Sequence, residues 1–252
     1  MKKLFALYFL ILIFFGCSSS IDTTNLGSQE RLDYAIKLYN EEDYELAITE
    51  LQSLILQYPG NAVVDDAQFY LGMTRFKRGE FILAAFELSK LIKNMPVSEF
   101  VPQAQLMLAE SYYELSPNYT LDQKYTKKAV EEYQAFLDFF PANSNVPEAE
   151  KKIRELNDKL AQKEYNNALI YEKLEYYTAA MRYYDSVVDV YHDTQYAPMA
   201  LYNKINLLRS RDRDREALDE IAKFLQRYPN DNRAKEMESL KTSLENLLSA
   251  SK

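Results

Sequence analysis

Apolar and polar positions alternate along this chain with the period of one-faced helices, and one phrase of that pattern returns five times. An alanine is followed by two turns of apolar spacing, an aromatic or methionine residue, and usually a proline. Ala47 leads to Tyr58-Pro59, Ala84 to Met95-Pro96, Ala129 to Phe140-Pro141, Ala180 to Tyr191-His192 and Ala217 to Tyr228-Pro229. A fixed internal period predicts stacked helical units with no single catalytic core, and so a surface for holding other chains.

The steps between the alanines are unequal. The step from Ala84 to Ala129 places about eight extra residues between two helices, around Glu114 to Thr126. In the longest step, Ala142-Asn143-Ser144-Asn145 leads to Pro147, and a charged periodic stretch then runs from Glu148 to Leu174 without a breaker. It reads as one long helix. A last amphipathic segment, Arg233 to Leu248, carries Met237, Leu240, Leu244, Leu247 and Leu248 and is expected to cap the open end.

The N-terminus breaks the pattern. Lys2-Lys3 precedes twelve apolar residues, Leu4 to Phe15, a run matching a signal peptide and too short for a spanning helix of ~20 residues. Phe14-Phe15-Gly16-Cys17 resembles the lipobox of bacterial lipoproteins, which implies cleavage before Cys17 and its acylation. The alternative makes Cys17 an incidental thiol in an ordinary secretory signal. Residues 1–16 are therefore read as signal peptide and 17–28 as a flexible tether, small and polar from Ser18. A single cysteine excludes an intramolecular disulfide.

Acidic residues outnumber basic ones by 38 to 30, so the electrostatic footprint of a nucleic-acid protein is missing. The one histidine, His192, stands in the proline slot of the fourth copy and reads as a loop residue. With no nucleophile–base pair, phosphate loop or zinc spacing, neither enzyme, cofactor nor metal chemistry is expected. The run Arg209-Ser210-Arg211-Asp212-Arg213-Asp214-Arg215 is a solvated turn by default and, in a second reading, a surface for an acidic partner.

Ala67, Leu71, Gly72, Gly79, Phe81, Ala84 and Pro96 fall at the spacings of the tetratricopeptide repeat. Gly72 and Ala84 are small where the paired helices touch, Gly79 tolerates positive φ at the end of the first helix, and Pro96 follows the second. The expected fold is all-α: a tetratricopeptide-repeat superhelix of about five helix-turn-helix repeats over 29–232, then a capping helix and tail over 233–252. In such a repeat the first helix lines the inner wall. Tyr39, Phe69, Met73, Phe76, Lys77 and Tyr113 would then line a groove fit for an extended peptide with aromatic side chains. The competing reading packs part of this wall against neighbouring helices.

The third repeat carries Ala109-Glu110-Ser111-Tyr112-Tyr113, Leu121-Asp122-Gln123-Lys124-Tyr125-Thr126 and Tyr133-Gln134-Ala135-Phe136-Leu137, closing on Phe140-Pro141. Together with the run before the fourth repeat, these elements resemble the BamD family, lipoproteins of the β-barrel assembly machinery in Gram-negative outer membranes. The resemblance implies a lipid-anchored protein on the periplasmic face of the outer membrane. It also implies docking of a BamA-like barrel subunit through its last POTRA domain, other assembly lipoproteins as partners, and contact with unfolded barrel precursors whose C-terminal signal is rich in aromatics. Docking in that family falls to the C-terminal repeats, which here offer Tyr202, Asn206, Arg209, Arg211 and Arg213. The alternative is a tetratricopeptide lipoprotein for pilus biogenesis or ligand binding. Glycan binders of that kind lean on tryptophan, and this chain has none.

Overall fold

The computed structural model describes residues 26–250, so the signal peptide, Cys17 and most of the tether lie outside the described residues. Within them the chain forms eleven α-helices and no strand. Five antiparallel pairs follow one another: α1 (Ser28–Asn40) with α2 (Tyr44–Gln57), α3 (Val64–Lys77) with α4 (Phe81–Asn94), α5 (Val101–Glu114) with α6 (Lys124–Phe139), α7 (Val146–Lys173) with α8 (Tyr177–Val190), and α9 (Tyr196–Ser210) with α10 (Asp214–Arg227). The single helix α11 (Ala234–Ala250) packs on α10 and buries Met237 and Leu244. This is the tetratricopeptide superhelix, with a terminal helix closing its end.

The five recurring alanines are all fully buried. Each lets the two helices of its pair approach closely. Gly72 goes further. A Cβ placed on it would come within 2.7 Å of both Cγ and Cδ2 of Leu88, so α3 and α4 touch through a missing side chain.

Four of the pairs turn in three residues, and each turn uses the same device. One residue takes a left-handed φ: Glu42 at 63°, Gly79 at 74°, Glu175 at 63° and Asp212 at 58°. The next N–H then reaches the carbonyl five residues back, Asp43 to Leu38, Glu80 to Arg75, Tyr176 to Tyr171 and Arg213 to Leu208, which closes the helix end. Only Gly79 adopts that φ without steric cost.

Between pairs the chain makes two successive turns. The N–H of Asn61, Ser98, Asn143, Thr194 and Asp231 donates to the carbonyl three residues earlier, and its own carbonyl accepts from Val64, Val101, Val146, Ala197 and Ala234. These are the residues three after Tyr58, Met95, Phe140, Tyr191 and Tyr228. Short polar side chains suit the place because they also bond nearby backbone N–H groups, as Asn61, Ser98, Asn143 and Asp231 do. His192 sits exposed in one of these turns, as its place in the sequence predicts, and only its carbonyl is used, accepting from Tyr228 at 3.3 Å.

The third pair departs from the rest as expected. The eight extra residues divide between a long turn, 115–123, and an α6 of 16 residues where α4 has 14. The other departure is α7, an unbroken run of 28 residues. Its first half, with Ala149 and Leu156, belongs to a core shared with Ala129, Tyr133 and Phe136 of α6. Its second half, with Ala161 and Ala168, belongs to a separate core that continues through α8, α9 and α10 to α11. One helix thus serves two repeats end to end.

Candidate partner-binding surfaces

Polar ties between the helices of a pair set the side chains around them. Arg31 donates to Glu50 at 2.7 Å, Gln68 to the carbonyl and carboxylate of Glu87 at 3.0 and 2.7 Å, and Gln105 to the same two groups of Glu132 at 3.0 and 2.8 Å. All three donors are buried and occupy one position in successive repeats. In the last repeat Lys204 spans Asp185 and Glu220, at 2.6 Å to each. Burial pulls the Lys204 ammonium down, but the two carboxylates outweigh it and hold its pKa above the usual lysine range. These ties hold the helices of the wall together.

First helices touch first helices across the junctions, α1 with α3, α3 with α5 and α7 with α9, which puts them on the inner wall. Along that wall the six residues expected to line a groove are not equivalent. Phe69 is only 4% exposed; its ring stacks on Phe100 at 4.5 Å and 15°. Phe100 arrives from the turn that starts the next repeat, so the groove expectation fails for Phe69, which is a core ring. Tyr39 is half-buried against Tyr44 and Tyr70, and burial, with those two phenols, raises its pKa. Met73 is half-buried beside the Phe69 core, whereas Phe76 leans edge-on against Phe81 and Lys77 is exposed.

Tyr113 stands apart from these. Its hydroxyl donates to Glu155 at 3.0 Å, and the Lys152 ammonium lies 3.6 Å from the ring centre. Burial, then the Glu155 carboxylate, pushes its pKa up to about 12. The inner wall at Tyr113 is therefore closed by α7 and polar. What stays accessible in the N-terminal half is a strip formed by Tyr39, Met73, Phe76 and Lys77.

The C-terminal set also divides. Tyr202 donates to Glu236 of α11 at 2.9 Å, under the Arg233 guanidinium, and Asn206 is half-buried one turn along. Arg213 grips Glu216 in a bidentate pair at 2.6 and 2.5 Å and also touches the Met181 sulfur. Arg211 lies over the Tyr177 ring at 4.6 Å. Arg209 is exposed. The arginine run is therefore a tight turn stitched to the preceding repeat, in which Arg209 and Arg211 stay exposed.

The long turn 115–123 shows why Leu121-Asp122-Gln123-Lys124-Tyr125-Thr126 is built as it is. Gln123 is buried; its amide donates to the carbonyls of Asn118 and Leu121 at 2.9 and 3.0 Å and accepts from Thr126 at 2.7 Å. From outside, Lys163 of α7 donates to the Leu121 carbonyl at 2.7 Å and Lys159 to the Ser116 hydroxyl at 2.8 Å. Tyr125 stacks on Tyr112. The turn is pinned on both sides and holds Leu121 exposed at its tip. Replacing Gln123 with Ala removes three hydrogen bonds from the heart of the turn, although Leu121 N–H, Lys163 and Ser116 still partner the Asn118 carbonyl, the Leu121 carbonyl and the Thr126 hydroxyl. We expect a loss of about 1–3 kcal/mol in denaturant unfolding, with amide exchange rising first in 115–123.

A groove of about 930 Å³ opens on the fourth repeat, lined by Tyr171, Tyr176, Tyr177 and Tyr183 with Arg182 at its side. Nothing in the sequence reading singled it out. Among the described residues no cluster of His, Cys, Asp and Glu could hold a metal ion, and no helix is long and apolar enough to cross a membrane.

The helical stack has known relatives. The outer membrane lipoprotein family YfiO matches residues 28–213, from the first residue of α1 to the turn of the fifth pair. The outer membrane protein assembly factor BamD of Rickettsia prowazekii is 27% identical over 206 residues, covering 81% of this chain and 82% of that protein. Similar solved structures include the C-terminal part of a TPR repeat-containing protein from Cytophaga hutchinsonii, at a TM-score of 0.43 with 18% identity over 87% of this chain and 76% of that one. A thermophilic TPR protein of Thermus thermophilus scores 0.37, with 19% identity over 86% and 98%. Matched through the first four repeats and into the fifth, this chain belongs to the YfiO family of outer membrane lipoproteins, the family of the assembly factor BamD.

Proposed function

We propose that the protein is a lipid-anchored scaffold subunit of the outer-membrane β-barrel assembly machinery. It faces the periplasm, holds a BamA-like barrel subunit through a POTRA domain, and helps receive unfolded barrel precursors. The observation that carries this reading is the extent of the relationship to BamD, which runs along most of both chains and takes in the specific turn 115–123. The architecture suits the role. Five rigid pairs offer separate faces at the two ends: an aromatic strip on the first repeats for incoming chain, and Arg209 with Arg211 at the last turn for an acidic partner surface. Other assembly lipoproteins fit the remaining faces.

Detergent extraction of the mature protein, followed by affinity recovery, tests the reading. A BamA-like barrel subunit should co-purify, and depletion should lower many outer-membrane barrels together. Recovery of no barrel subunit, or loss of a single pilus or nutrient phenotype, favours the alternative of a pilus or ligand-binding lipoprotein. Cys17→Ser should release the protein from membranes with its helicity intact, since the acyl chains and not the helices hold it there.

A further inference from the structure

The residues of one repeat have counterparts in every other, counted from the left-handed turn residue or the buried alanine. Ile170, near the end of α7, corresponds to Thr74, Ser111 and Leu207. Those three are 3% exposed or less, because the second helix of the preceding repeat lies against each: α2, α4 and α8. Ile170 is 56% exposed.

Around Ile170 the contrast is one of chemistry and not of burial, because the counterparts Arg78, Arg211, Arg213 and Arg227 are charged but exposed as well. Leu174 corresponds to Arg211, which covers Tyr177 of α8, and to Arg78, which pairs with Glu45 of α2. Tyr176 corresponds to Arg213, in contact with Met181 of α8, and Val190 to Arg227, which donates to the Val188 carbonyl at 3.1 Å. In the fourth repeat Leu174, Tyr176 and Val190 are 57%, 63% and 64% exposed.

The cause lies in α7. Its extra length seats α6 on the first half, against Ala149 and Leu156, and leaves Ile170 on the second half uncovered. The fourth repeat is thereby left like the first repeat of a stack. The true first repeat, which no described helix precedes, answers with polar residues: Lys37 and Glu41 stand where Ile170 and Leu174 stand, and both are exposed. The fourth repeat keeps an apolar face in the open, beside a tyrosine-lined groove of about 930 Å³ and the exposed Arg182.

We propose that this face receives an amphipathic α-helix of a partner polypeptide, laid along the second half of α7 as α8 is laid along α9. The occupant is a helix because a helix covers the counterpart of Ile170 in the second, third and fifth repeats. Its contact stripe is aliphatic and aromatic, unlike the acidic stripe of α8 that meets Lys204 and Lys223 through Asp185 and Asp189. Helix-in-groove recognition of this kind reads side chains three and four apart.

The test places a photo-crosslinking amino acid at position 170 or 174 of the full chain in the cells that make it, with position 37 as the exposed counterpart. Crosslinked peptides are then sequenced. Both positions should give at least tenfold more product than position 37, joined to one segment of one other polypeptide at residues three or four apart. Leu174→Glu should cut the product at position 170 at least tenfold while circular dichroism stays unchanged. Yields equal to those at position 37, attachment to a second copy of this chain or to residues two apart in an extended strand, or insensitivity to Leu174→Glu would each overturn the proposal. The inference stands apart from the assembly role, since the crosslink can persist where no barrel subunit co-purifies.

Discussion

Gly72→Ala should lower stability by about 1–3 kcal/mol although it adds only one methyl group. The new Cβ would stand 2.7 Å from two carbons of Leu88, closer than any van der Waals contact. Leu88 has nowhere to go, being fully buried between α3 and α4 in a core with Phe69, Leu91, Ala104 and Leu108. The helices must separate or Leu88 must leave its rotamer, and either response strains the Gln68–Glu87 tie across the same pair. Leu88→Ala alone should cost about 2–5 kcal/mol through the void it leaves. In the double variant the added methyl occupies part of that void, so the two losses should fall short of additivity by at least about 1 kcal/mol. Urea unfolding of the four proteins measures the coupling. Strict additivity would mean that α3 and α4 do not meet through Gly72.

Phe69→Ala should be the more damaging change, at about 3–5 kcal/mol, because a fully buried ring is removed and its stacked partner Phe100 loses a face. Phe76→Ala should cost less than about 1.5 kcal/mol, since that ring is half-exposed and makes one edge contact. The order reverses for binding. If the N-terminal strip takes aromatic-ended peptides, Phe76→Ala weakens that binding by about 2 kcal/mol in a protein that unfolds almost normally. Phe69→Ala then weakens it only as far as the second and third repeats loosen, which a melting curve on the same sample reveals. A Phe69→Ala protein with unchanged melting temperature would return that ring to the groove.

The contrast between these two phenylalanines marks where sequence reasoning stops. Both lie at inner-wall positions of α3, and nothing within the helix distinguishes them. Phe69 is buried because Phe100, from the turn into the next repeat, lies over it. The ties from Gln68 to Glu87 and from Gln105 to Glu132 are equally hidden, since a helix position occupied by glutamine looks solvent-facing until its partner helix is in place. The double turn at Asn61, Ser98, Asn143, Thr194 and Asp231 was open to a reader of the sequence. A short polar residue stands three places after each aromatic or methionine.

The paired helices, the small residues at their contacts, the left-handed Gly79, the long turn of the third repeat, the 28-residue α7 and the closing α11 follow from the chain's own spacing. Each depends on interactions within about forty residues, and local periodicity encodes such interactions directly. Which rings are walls and which are core, and which face of the fourth repeat has lost its neighbour, were decided only when the helices stacked. Those outcomes depend on how far one long helix displaces the next pair, a distance that no single repeat contains.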